Sequence, residues 1–142
     1  METDVPSPDL LTRFEAGQVS ASELGHRQHL QVAWLYLGRL GPEQTAQAVR
    51  EGIRRLAAAN GVPQLYHETV TRVWIHLVAW ARAASGAATF EDLLEAHPEL
   101  LDRALPQRFY SAERLQSPEA KAGWVEPDRS ALPALRDRMP GD

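Results

Sequence analysis

The chain contains no cysteine. That excludes disulfides, thiolate nucleophiles and cysteine-type zinc sites. Basic charge is also scarce. Lys121 is the single lysine, the remaining basic residues are arginines, and the net charge is −4. With a pI near 5.7, the chain lacks the basic stripe expected of a nucleic-acid binder. The short cluster Arg50, Arg54, Arg55 lies among glutamates and reads as a solvated helix face. Long apolar runs are missing as well. The longest stretch, Val73 to Ala83, is interrupted by His76 and Arg82, whereas a membrane-spanning helix needs about 20 apolar residues. No membrane partner and no nucleic acid are therefore expected. The start, Met1-Glu2-Thr3-Asp4, is acidic and lacks the layout of a secretory signal, so the expected location is cytoplasmic. There is no Gly-rich phosphate loop, no G-x-S-x-G elbow and no H-E-x-x-H. No segment alternates with a period of two, and no internal repeat is visible.

What is present suits one globular domain. The 142 residues are 44% hydrophobic and 24% charged, which is ordinary for a folded chain of this length. The expected fold class is all-α: a compact helical bundle of about three main helices, with shorter C-terminal helices and an extended tail. The expected organisation is a single domain with a lead-in at 1–20, a helical core at 21–104, and short helices with a tail at 105–142.

In the lead-in, Leu10, Leu11 and Phe14 form a short helical turn that packs onto the body. Ser20-x-x-Glu23 is a candidate capping box. It would open a first main helix from about Ala21 to Leu40, with His26, Leu30, Ala33, Leu37 and Leu40 at helical spacing. Pro42 suits the first position of a second helix, with Ala46, Val49, Ile53, Leu56 and Ala57 on its buried side. Asn60-Gly61 stops it. A third helix runs from Pro63 to about Ala84 on a stripe of Tyr66, Val70, Val73, Trp74, Leu77 and Ala81, and Ser85-Gly86 ends it. Thr89-x-x-Asp92 opens a helix from Phe90 to about His97. Pro98 starts a short helix to Ala104, which Pro106 breaks. Ser111 caps a turn at Ala112–Leu115, and Ser117-Pro118-Glu119 starts a short helix to Ala122. From Trp124 onward, Pro127, Pro133 and Pro140 oppose regular structure.

The histidines carry the candidate chemistry. At 100° per residue, His26 falls near the middle of the first helix's apolar stripe and His29 about 60° to one side. His67 falls about 60° from the middle of the third helix's stripe. Residues three apart on a helix can chelate one ion, and a third imidazole from a facing helix would leave an open position, as in a catalytic metal site. His26, His29 and His67 are thus candidate ligands of a divalent transition metal such as zinc, iron or copper. Glu68 is a candidate ligand, orienting partner or general base; its other role is to favour the helix dipole. Thr71, one turn on, would hold the His67 ring or bond back to the carbonyl of residue 67. Tyr66 and Tyr36 would donate to a ligand or sit at the core edge. Arg27 would clamp an anion or pair with Glu23. His76 lies off the stripe, and His97 is expected to be exposed near a helix end.

With His26-Arg27-x-x-Leu30-x-x-Ala33-Trp34 and Tyr66-His67-Glu68-Thr69-x-Thr71 in view, the chain resembles a family of small bacterial all-α proteins with H-x-x-H-L-x-x-A-W and Y-H-E-T-x-T segments. The similarity extends to Tyr110-Ser111, Ser117-Pro118-Glu119-Ala120 and Trp124-Val125-Glu126-Pro127-Asp128. It implies that all three histidines belong to the family's motifs, and that Tyr110, Trp124 and Asp128 either close a pocket or staple the tail.

Three readings follow. The first is a metal-dependent enzyme on a small organic molecule, with Glu68, Tyr66 and Thr71 beside the metal. The second is a metal-free enzyme using His67 as acid or base. The third is a non-catalytic interaction or regulatory module, including a homodimer through an apolar helix face, in which the histidines are polar glue.

Overall fold

The computed structural model describes residues 7–19 and 24–135. The fold is all-α, and among the described residues there is no β-strand. No helix among them is long and apolar enough to cross a membrane. The chain divides into two compact units, Met1–Tyr66 and His67–Asp142.

The first unit holds three helices, α1 (Ser7–Glu15), α2 (His26–Leu37) and α3 (Pro42–Ala59), then a 3₁₀ turn at Pro63–Leu65. Within the lead-in Ser7–Glu15 is a helix, and Leu10, Leu11 and Phe14 are buried on it. The Phe14 ring meets Tyr36 of α2 edge-on at 6.4 Å. It also lies over Gly52 of α3, where an added Cβ would stand 2.2 Å from two ring carbons. The absence of a side chain at Gly52 therefore lets the Phe14 ring lie directly on α3. Arg55 of α3 donates to the carbonyl of Glu15 at 3.1 Å, meeting one of the carbonyls that a helix leaves open at its C-terminus. Gly17 turns the chain there at φ +72°, a conformation that favours glycine.

Helix α2 begins at His26, five residues later than its periodicity predicts, and ends at Leu37. The Ser20–Glu23 box lies outside the described residues. Gly25 is the N-cap and supplies no side-chain bond. The buried residues are Leu30, Val32, Ala33, Trp34 and Tyr36, so burial spreads beyond one stripe. Pro42 opens α3 as expected, and Asn60 ends it with Gly61 at φ +75°.

The second unit is organised on α4 (Glu68–Ser85), followed by α5 (Phe90–Ala96), 3₁₀ turns at Pro98–Leu101 and Leu105–Arg108, α6 (Ala112–Leu115) and α7 (Pro118–Ala122). Eight residues of α4 are buried, among them Val73, Ile75, Leu77, Val78 and Ala81. This helix packs against α7, α5 and the turn at 105–108. It starts five residues later than Pro63, because His67 is extended at φ −133° and ψ 110° and caps the helix instead of joining it. Tyr66 and His67 therefore lie before α4, not on its face. Pro106 does not break structure; it occupies the first turn of the second 3₁₀ segment, where no amide is needed. Residues 124–135 have no regular structure, and side chains of the unit hold them in place as a strap.

Candidate functional site

Both ring nitrogens of His67 have partners. Its Nδ1 accepts the amide of Val70 at 3.1 Å, which is an N-cap bond made by an imidazole. Its Nε2 stands 2.6 Å from the carbonyl oxygen of Leu115. A carbonyl only accepts, so Nε2 carries the proton and Nδ1 keeps the lone pair. One neutral tautomer satisfies both contacts, and both ring nitrogens are committed. Thr71 Oγ1 donates to the His67 carbonyl at 2.8 Å, the back-bond available to a threonine one turn into a helix, so it does not touch the ring.

The other candidates belong to both units. His26 is the first residue of α2 and half-buried; His29, one turn on, is exposed. Both belong to the first unit and His67 to the second. Tyr66 is buried, with the Arg54 guanidinium 4.9 Å above its ring. Glu68 is buried at the first position of α4, where a carboxylate suits the helix dipole. Tyr36 is buried and its hydroxyl donates to Glu15 at 2.8 Å. Burial, and then this bond to a carboxylate, push its pKa well above the usual tyrosine value. Among the described residues, no group of three or more His, Asp or Glu is disposed to hold a metal ion. A ligand must turn a lone pair to the metal, and His67 as placed has none to spare.

What gathers in the second unit is a set of groups that hold the strap. Thr69, fully buried, donates to the Gly123 carbonyl at 2.6 Å and accepts the Val125 amide at 3.2 Å. Tyr110, also fully buried, donates to the Val125 carbonyl at 2.7 Å. Burial, and then the nearby Glu126 charge, push the Tyr110 hydroxyl up to about 12. His76 Nε2 stands 2.6 Å from the Pro133 carbonyl, so it donates as His67 does. Both Asp128 oxygens are taken by Ser111, one by its hydroxyl and one by its amide, each at 2.7 Å. These bonds, the hydroxyl's first, hold the Asp128 carboxyl below its ordinary value. Trp124 meets Tyr110 edge-on at 6.3 Å, carries the Arg72 guanidinium 5.4 Å from its ring centre, and donates to Glu126 at 2.9 Å. An open groove of about 570 Å³ lies along the strap between His76 and residues 124–132.

His97 is half-buried rather than exposed, because its ring packs edge-on to Trp80 at 4.9 Å and its Nδ1 meets Glu99 at 3.1 Å. Burial opposes ionisation of Glu99, but its backbone amide and the His97 ring outweigh it and hold the carboxyl below its usual value.

Sequence reasoning missed Thr69 and His76. The signal for Thr69 was its place in Tyr66-His67-Glu68-Thr69, where the threonine follows an N-cap on the side that becomes buried. His76 gives no local signal, since its partner is 57 residues away. Comparison with family models, with curated proteins and with solved structures gives no match.

Proposed function

We propose that this chain is a non-catalytic helical interaction or regulatory module, in which His67 serves the architecture. The observation that supports this reading is the commitment of both His67 ring nitrogens, one to the α4 amide of Val70 and one to the Leu115 carbonyl. A general base needs a free lone pair aimed at a substrate, and a metal ligand needs one aimed at the ion. Here the lone pair caps a helix and the proton ties that helix to the last residue of α6.

The test separates stability from metal content. His67→Ala removes a cap and leaves the Leu115 carbonyl without its donor, a loss of about 2–3 kcal/mol. His67→Asn, whose amide can cap, is expected to restore part of that loss. Both effects should be the same with and without chelator in urea unfolding followed by circular dichroism. Near-stoichiometric zinc, iron or copper in untagged protein, absent from a folded His26→Ala/His67→Ala variant, would overturn the reading and restore a metal-dependent enzyme built on His26, His29 and His67.

A further inference from the structure

We propose that Nε2 of His97 is a phosphoryl-acceptor site, modified by N-phosphoryl donors, with Glu99 as its positioning residue and Arg108 as the cation that favours the transferred group. The three residues lie in the second unit. The proposal goes beyond the module reading and does not rest on the role of His67.

The chemistry starts from the tautomer. His97 follows the last residue of α5, and its Nδ1 stands 3.1 Å from Glu99 Oε2. Glu99 is held below the usual carboxyl value, so its oxygen accepts and Nδ1 carries the proton. In the neutral ring the lone pair is then on Nε2. Edge-on packing against Trp80, with the ring centres 4.9 Å apart, orients the ring. No hydrogen bond uses Nε2. Among the described residues Thr45 Oγ1 is the buried side-chain atom without a partner, so the unbonded Nε2 is not buried and reaches solvent. The side chain as a whole is 17% exposed, which shields the ring body and leaves this edge open to a small reactant.

A carboxylate on one ring N–H raises the basicity of the other nitrogen, as it does for metal-bound imidazoles. It also meets the positive charge that the ring gains when Nε2 forms a bond. Two other histidines of the second unit lack part of this arrangement. His67 has no nitrogen left, and His76 gives its proton to a neutral carbonyl. The class of electrophile follows from the surrounding charge. Arg108 is exposed at the end of the turn at 105–108, and its charge acts on Glu99. A guanidinium that close favours an anionic group, which a phosphoryl group is and an acyl group is not. The step balances without a further reactant. Nε2 attacks phosphorus, the P–N bond of the donor breaks, and the leaving nitrogen takes the bonding pair. The Nδ1 proton stays in its bond to Glu99, and the product is a phosphoramidate on an imidazolium ring.

The experiment treats the full chain with potassium phosphoramidate, the simplest N-phosphoryl donor, at neutral pH. Tandem mass spectrometry follows the occupancy of each histidine over time, and circular dichroism establishes that each variant is folded. His97 should be labelled about tenfold faster than His76, because its partner is a charged acceptor rather than a neutral one. Glu99→Gln keeps an acceptor for Nδ1 without the charge and should remove most of that advantage. Arg108→Ala should slow phosphorylation of His97 and leave its reaction with uncharged diethyl pyrocarbonate unchanged. If Glu99→Gln fails to fold, Arg108→Ala and the ratio of His97 to His76 in the unaltered chain decide. Labelling of His97 no faster than His76, or a phosphorylation rate indifferent to the substitutions, would overturn the proposal. A metal bound through His67 would remove the module reading and leave this result standing, whereas failure here leaves that reading untouched.

Discussion

The helices of the first unit and those of the second begin in different ways. Helices α2 and α3 start at Gly25 and Gly41, and neither has a side-chain cap. In the second unit each of α4, α5, α6 and α7 starts with a side chain that accepts a backbone amide: His67, Thr89, Ser111 and Ser117. The first unit instead relies on fit between faces, most closely where Phe14 lies on Gly52. The fit of Phe14 on Gly52 is the feature to probe in the first unit, and the polar bonds at helix starts and along the strap are those to probe in the second. Shape fails abruptly when volume is added. Distributed bonds fail one at a time, by amounts that nearly add for separated sites.

The largest effect that tests this contrast is Gly52→Ala. On an exposed helix interior the change would stabilise by about 1 kcal/mol, since alanine is the better helix former. Here the new methyl meets a buried ring at 2.2 Å, and overpacking costs about 1–3 kcal/mol. The expected net sign is destabilising. Hydrogen exchange should quicken in α1 and α3, and the double variant Gly52→Ala/Phe14→Leu should recover most of the loss. A stabilised Gly52→Ala would show that the first unit does not depend on this fit.

Caps are the matching probe of the second unit. Thr89→Ala, Ser111→Ala and Ser117→Ala should each cost about 1 kcal/mol in urea unfolding. Ser111→Ala and Ser117→Ala should cost more than Thr89→Ala, because each hydroxyl both caps a helix and donates, to Asp128 and to the Arg114 carbonyl. In the first unit Gly41→Asp should stabilise by a few tenths of a kcal/mol, at most about 0.5, as a missing cap is supplied. Equal losses at all three sites would mean that the donated bonds add nothing.

These same differences decide what the sequence made visible. Thr89, Ser111, Ser117 with Pro118, Pro42, and Asn60-Gly61 all act within a few residues of themselves, and each has the role its local chemistry predicts. The role of Gly52 depends on a neighbouring helix, and no local pattern marks it. The place of His67 misled for a related reason. Treated as a helix residue it falls beside a buried stripe. In fact it precedes the helix, and its ring is read by Val70 nearby and by Leu115, 48 residues on. Thr71 could be foreseen because its bond to the His67 carbonyl is local. The all-α class was readable because it needs only periodicity and the absence of alternation.

Thr45 offers a smaller test on the first unit. It is fully buried in the first turns of α3, and its hydroxyl has no hydrogen-bond partner. Thr45→Val keeps the shape and removes an unmade bond, so it should stabilise by about 1 kcal/mol. No comparable orphan is found among the described side chains of the second unit. Thermal unfolding of Thr45→Val is the check, and a destabilised variant would mean that the hydroxyl is satisfied.

The smallest effects lie in the pH dependence, and they separate the units again. Asp128 is held below its ordinary value by Ser111. Its contribution is therefore present above the unfolded carboxyl pKa of about 3.9 and is lost as pH falls through the lower folded value. Asp128→Asn keeps an oxygen for the Ser111 amide, turns an NH2 to the Ser111 hydroxyl, which then accepts, and does not titrate, so it should flatten that part of the acid limb. Tyr110 moves the opposite way, pushed up to about 12 by burial and then by Glu126. Its contribution is present below the unfolded tyrosine pKa of about 10 and is lost as pH rises from there through the folded value. Tyr36 is raised further, by burial and the bond to Glu15, and acts in the same direction from the first unit. Tyr110→Phe and Tyr36→Phe should each remove part of the alkaline loss. Urea midpoints measured across the alkaline range in the two single variants would assign that loss between the units. An alkaline limb unchanged by either would mean that neither phenol stays protonated in the folded chain beyond its ordinary value.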